Sequence, residues 1–240
     1  MRRTIRTYYD FAEYSGVVGS DLHSPSAWDA LRESGAESFS LSERRQSWLD
    51  SFVDQAYLRE RARAIVGLCR EQGLERVFSV GAGIAALEYF IKAEDPALHL
   101  TCTDYAPKAT ARLRSVFEEC DDIFVFDMMR DEWPSAPDTL YLLHRVDFEL
   151  SDRDWRSCFA RMAANAISPV LVVACELLTP EKRKRMRHVY LSHKIHHRPL
   201  TFSGYLRTRD AFKALWGRDY NTARELPVGD LEGFLLTVKR

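Results

Sequence analysis

The chain has no run approaching the roughly 18 apolar residues of a membrane span. It has no C-x-x-C pair: five cysteines (Cys69, Cys102, Cys120, Cys158 and Cys175) are widely spaced and odd in number. That argues against a disulfide framework or a zinc site, and for reduced thiols that partly fill core space. No charge of one sign dominates, since 34 basic residues face 35 acidic ones for a net charge of -1. A surface built throughout for nucleic acid is thereby excluded. Internal repeats and long low-complexity tracts are missing. So is an apolar leader: Arg2-Arg3 resembles the start of a twin-arginine signal, but Tyr8-Tyr9-Asp10-Phe11-Ala12-Glu13 follows. The expectation is a cytoplasmic protein with no membrane partner.

What is present fits an ordered globular chain. The 240 residues are 46% hydrophobic and 29% charged, enough for one sizeable core plus a helical cap. Residues 1–73 read as helices separated by polar loops, with Ser/Gly-rich loops over 15–20 and 34–42. Trp48, Phe52, Tyr57, Leu58, Ile65 and Cys69 fall at helical spacing. Ser42 is a fitting N-cap for that helix and Gly73 a fitting stop.

From Arg76 onward, short apolar runs alternate with helical stretches. Strands are expected over 77–80, 98–103, 123–126, 140–143 and 170–174, with helices after the first glycine turn, from Pro107 and from Ser151. That alternation implies α/β architecture with a mostly parallel, three-layer sheet. Residues 208–216 read as a helix. Residues 222–226 and 234–238 then read as an antiparallel terminal hairpin.

In open α/β sheets ligands bind beyond the carboxyl ends of the strands. The first strand ends in Gly81-Ala82-Gly83, which lets a backbone turn tightly and a ligand approach closely. The second ends in Asp104, about 20 residues on, where a carboxylate accepts hydrogen bonds from ribose hydroxyls. The third ends in Asp127-Met128, an acid for an adenine amino group beside an apolar side chain for the ring face. Together they suggest an adenosine-containing cofactor. Gly81 to Ala86 matches the dinucleotide form G-x-G-x-x-[GA], which keeps a nicotinamide-dependent oxidoreductase open.

Over residues 75–240 the chain also resembles the class I S-adenosylmethionine-dependent methyltransferases. The resemblance rests on Val80-Gly81-Ala82-Gly83, Thr103-Asp104-Tyr105, Phe126-Asp127-Met128, Leu143-His144-Arg145-Val146 and the closing strand 233–238. It implies a Rossmann-like domain over 75–240 behind an N-terminal cap or lid over 1–74, with S-adenosylmethionine as cofactor. Tyr14, Ser79, Gly81, Ala82, Gly83, Asp104, Tyr105, Asp127, Met128 and His144 are then its expected contacts. Two positions depart from the pattern. Ser79 stands where the family carries an acid that holds the methionine end of the cofactor, and Ala85 stands at the third glycine. A backbone carbonyl, a water or a cap residue is expected to replace that acid, or binding is weaker.

Methyl transfer needs a base only where the acceptor holds its proton. His144 is the candidate, with Asp147 as an orienting partner. Residues 181–198 carry seven Lys/Arg and four His against one Glu. The segment 181–210 is therefore expected to cover the acceptor, with Arg185, His193, Tyr205 and Arg207 as contacts. His193 and His197, at i and i+4, form an incomplete metal set, and no metal is expected. The reading is O-methylation of a small anionic or glycosyl acceptor. An RNA methyltransferase using the basic segment and a non-catalytic cofactor-binding module both stay open beside it.

Overall fold

The computed structural model describes residues 3–9, 24–33, 41–197 and 201–239. In chain order the elements are β1 (Thr4–Tyr9), α1 (Pro25–Glu33), α2 (Arg45–Asp50), α3 (Ala56–Gln72), β2 (Arg76–Val80) and α4 (Ala86–Glu94). Next come β3 (His99–Asp104), α5 (Pro107–Val116), β4 (Asp122–Val125), β5 (Thr139–His144) and α6 (Asp152–Ala164). The last are β6 (Val170–Val173), α7 (Pro180–Ile195), β7 (Thr201–Arg207), α8 (Arg209–Lys213), β8 (Tyr220–Val228) and β9 (Leu231–Val238).

Seven strands form one sheet in the order β4-β3-β2-β5-β6-β9-β8. The first five are parallel, and β9 and β8 close the edge antiparallel. The mostly parallel sheet with a terminal hairpin is the one the sequence pattern implies. Strand periodicity divides the core. Val77, Leu140 and Leu142 face α3 and α4, while Phe78, Val80, Tyr141 and Leu143 face α6 and α8. Trp48 and Phe52 join the first of these cores, so the N-terminal helices help close one face of the sheet. Cys69, Cys102 and Cys158 are buried.

Local chemistry sets the element ends. Gly73 takes φ +64 at the C-terminus of α3. Ser151, Thr179 and Thr208 accept backbone N–H bonds at the starts of α6, α7 and α8. Pro107 and Pro180 occupy first turns, where a missing N–H costs nothing.

Four expectations need correction. Residues 4–9 are a strand, not part of a helix. Thr4 to Tyr9 is rich in β-branched and aromatic residues and pairs antiparallel with β7, with Thr7 and Ser203 hydroxyls 2.9 Å apart. The helix expected to run from Ser42 to Gly73 is broken at 51–55, where the Ser51 hydroxyl donates to the Trp48 carbonyl (2.7 Å). Ser42 itself accepts from the Arg44 N–H (3.1 Å), ahead of α2, whose N-cap is Arg44. Finally, α7 ends at Ile195, and His197 sits beyond it at φ +51, so His193 and His197 share no helix face.

No helix among the described residues is long and apolar enough to cross a membrane. No group of three His, Cys, Asp or Glu side chains among them could hold a metal ion.

Candidate active site

Strand order reverses at β2, which has β3 on one side and β5 on the other. The register aligns Val80 with Thr103 and with Leu143, so three strand ends reach one edge together. A cavity of about 670 Å³ opens there. It is lined by Gly81, Ala82, Gly83, Asp104, Tyr105, Asp127, Met128 and His144, eight of the residues singled out in the sequence.

The glycine turn is held rigidly. Gly81 and Gly83 adopt φ +70 and +63, a region open to glycine at little cost. A Cβ on Gly81 would meet the Val146 side chain at 2.6 Å. Ala85 is also left-handed (φ 54), which explains why glycine suits the third motif position. The buried Trp48 indole donates to the Ile84 carbonyl (2.8 Å) and pins the turn from α2.

Asp104 is buried, and its two oxygens accept the Gly83 and Ala106 N–H groups, each at 3.0 Å. Burial raises its carboxyl above the usual range, and the nearby Arg32 charge opposes that rise. Asp127 accepts the Met129 N–H (2.9 Å) and lies 3.5 Å from the Arg130 guanidinium. Burial also pushes the Tyr105 hydroxyl pKa up.

His144 closes the other side. Its Nε2 is buried with no hydrogen-bond partner. Burial first, then the charges of Arg61 and Arg145, holds its pKa well below the ordinary histidine value, so the ring is neutral at pH 7.

Ser79 does not line the cavity. Its hydroxyl donates to Glu88 Oε1 (2.6 Å), and it is Glu88, on the first turn of α4, that reaches the cavity wall. Burial raises the Glu88 carboxyl to about 7, against the Ser79 hydrogen bond that lowers it. Sequence reasoning misses Glu88, although a glutamate within the apolar run Ala-Ala-Leu-Glu-Tyr-Phe-Ile is a signal. It also misses Arg32 and Glu149, which line the same cavity.

Other expected site residues lie elsewhere. Asp147 is not paired to His144. It accepts the Cys175 N–H (2.7 Å) and faces Arg207, while burial raises its carboxyl to about 6. Arg207 is buried and bonds Asp152 (2.8 Å) and the Asp147 and Leu150 carbonyls. Its environment is that of a structural tie. Tyr205 docks β7 through its N–H on the Phe148 carbonyl (2.9 Å). His193 is buried on α7, and Arg185 is exposed on the same helix. None of these five lines the cavity. Tyr14 falls outside the described residues.

No protein-family model and no curated protein matches the sequence. Solved structures do match in three dimensions. Human N-acetylserotonin methyltransferase in complex with S-adenosylmethionine superposes with a TM-score of 0.57 over 96% of this chain, at 17% identity. The mitomycin 7-O-methyltransferase MmcR gives 0.57 over 97%, at 16% identity. PigF with S-adenosylhomocysteine gives 0.56 over 96%, at 15% identity. The fold is that of the class I S-adenosylmethionine-dependent methyltransferases. The chain spans 60%, 80% and 63% of those three proteins. Within this methyltransferase fold, the cavity occupies the switch point where ligands of open α/β sheets bind.

Proposed function

We propose that this protein methylates an oxygen atom of a small molecule, using S-adenosylmethionine. The observation that carries the proposal is the single cavity shared by the glycine turn, two strand-end carboxylates and a neutral histidine with a free ring nitrogen. The residues fit the cofactor: Gly81 and Gly83, at positive φ, put backbone without a side chain at the cavity wall, and the acid set suits a ribose and a cation. Asp104 would take the ribose hydroxyls and Asp127-Met128 the adenine. Glu88 would face the methionine ammonium, in place of the acid that Ser79 lacks.

When bound, the cofactor supplies an electrophilic methyl carbon on a sulfonium. The protein's own part is to orient and desolvate. His144 Nε2 would accept the acceptor's hydroxyl proton as the oxygen loses it. Trp28 and Arg32 of α1 and Tyr57 of α3 line the cavity, which supports a covering role for residues 1–74.

Calorimetric titration with S-adenosylhomocysteine tests the reading. Wild-type protein should bind, and Asp104→Ala should weaken binding by about tenfold or more, the size of a lost bond to a charged group. Asp104→Asn controls for the turn. Absence of wild-type binding would sink the proposal.

A further inference from the structure

We infer that the acceptor carries a carboxylate or phosphate group, held in a second pocket between Arg61 and Arg145. The inference rests on the methyltransferase reading for the word acceptor, but the pocket stands on its own geometry.

This pocket, about 270 Å³, is lined by Tyr57, Arg61, Arg145, Cys175, Asp230 and Leu231. It shares Tyr57 and Arg145 with the main cavity, so one ligand can reach both. Arg145 directly follows His144, so the pocket adjoins the expected base.

Arg61 is only 4% exposed. Its Nε and Nη2 donate to the two Asp230 oxygens, at 2.8 and 3.0 Å. Its guanidinium lies 4.7 Å over the Tyr57 ring. The third nitrogen, Nη1, is buried without an acceptor. Clipping the β8–β9 turn to α3 needs only the first two nitrogens. A buried donor left unmade is costly, and an oxyanion is the acceptor that satisfies a guanidinium edge best.

Backbone geometry fixes both arginines. Gly229 at φ +59 lets the turn lie against Arg61, where a Cβ would stand 2.9 Å from Cγ. Arg145 takes a left-handed φ of +58, rare for a non-glycine residue, and its N–H donates to the Val173 carbonyl at 2.9 Å. Cys175 keeps its proton because burial raises its thiol pKa. Two guanidiniums and one carboxylate line the pocket. An anion placed there offsets the field that Arg61 and Arg145 impose on His144, while Asp230, the third charge facing that ring, stays in place.

The test titrates the protein with benzoate, phenyl phosphate and neutral benzyl alcohol at matched ionic strength. Titrations run with and without S-adenosylhomocysteine, while NMR follows the His144 ring. At least one anion should bind more tightly than benzyl alcohol and raise the His144 titration midpoint. The preferred anion separates carboxylate from phosphate. Arg61→Lys, which keeps the charge but loses the whole guanidinium edge, Nη1 and the paired bonds to Asp230 included, and Arg145→Gln should each weaken anion binding at least tenfold. Equal affinity for the anions and benzyl alcohol, or variants that bind anions as wild type does, would overturn the inference. Loss of S-adenosylhomocysteine binding alone would strike the methyltransferase reading instead, because the titrations without it still report on the pocket.

Discussion

On the β3–β4 side of the cavity, carboxylates meet backbone N–H groups: Asp104 on Gly83 and Ala106, Asp127 on Met129. On the β5–β6 side, Arg61 and Arg145 surround a neutral imidazole. The two halves meet where Val146 leans on Gly81. One half suits a cationic ligand with hydroxyls and the other an anion. Under the proposed function this asymmetry separates the two reactants, because each is repelled from the other's place.

The comparison breaks most directly at the seam. Gly81→Ala forces a left-handed backbone on alanine and drives a methyl into Val146. Strain and overpacking together should cost about 2–4 kcal/mol, read by thermal unfolding, with loss of S-adenosylhomocysteine binding. Gly81→Ala with Val146→Ala should recover the overpacking part only.

Glu88→Gln sharpens the contrast within the acidic half. It should weaken S-adenosylmethionine binding by about tenfold or more while leaving benzoate binding unchanged. The pH dependence has two signs. Glu88 is raised to about 7 in the fold, so the unfolded chain releases its proton first. Stability therefore falls as pH rises from the ordinary glutamate range through about 7, by up to about 3 kcal/mol. Affinity for the cationic cofactor rises over the same window, as Glu88 ionises. Glu88→Gln should flatten both profiles. Unfolding and calorimetric titration across that range check them. The smallest effect belongs to Ala85→Gly, which relieves a left-handed alanine outside both halves. It should leave both affinities alone and raise stability by about 1 kcal/mol or less, read by thermal unfolding.

Asp104 and Asp127 of the acidic half, and His144 of the other, are legible in the sequence because each lies at or just beyond a strand end, and strand ends follow from apolar runs punctuated by glycine, aspartate or proline. The arginine pocket is not. Arg61 on α3 reads as one charged helix position among several, and its partner Asp230 lies 169 residues away. Arg32 hides in α1 for the same reason. Glu88 meets Ser79 across a strand, a turn and a helix start, a pairing that neither strand nor helix period reveals. Conversely, the dense charge of α7 draws the expected acceptor contacts Arg185 and His193 to a helix that does not line the main cavity. Arg207 from the same region is spent on Asp152 and two carbonyls, because the β1–β7 ribbon needs a tie.

That ribbon has a consequence for how the molecule is made. Thr4 pairs with Arg207 and Tyr9 with Thr201. On the ribosome, β1 emerges before any other described element, yet its partner follows all five parallel strands of the large sheet. Loop closure over such a span is among the slowest contacts a chain can form. For most of synthesis β1 is an unpaired edge, the kind that invites stray strand pairing. The ribbon is therefore expected to be the last part to set, and the first place where synthesis halted early leaves a chain exposed to aggregation.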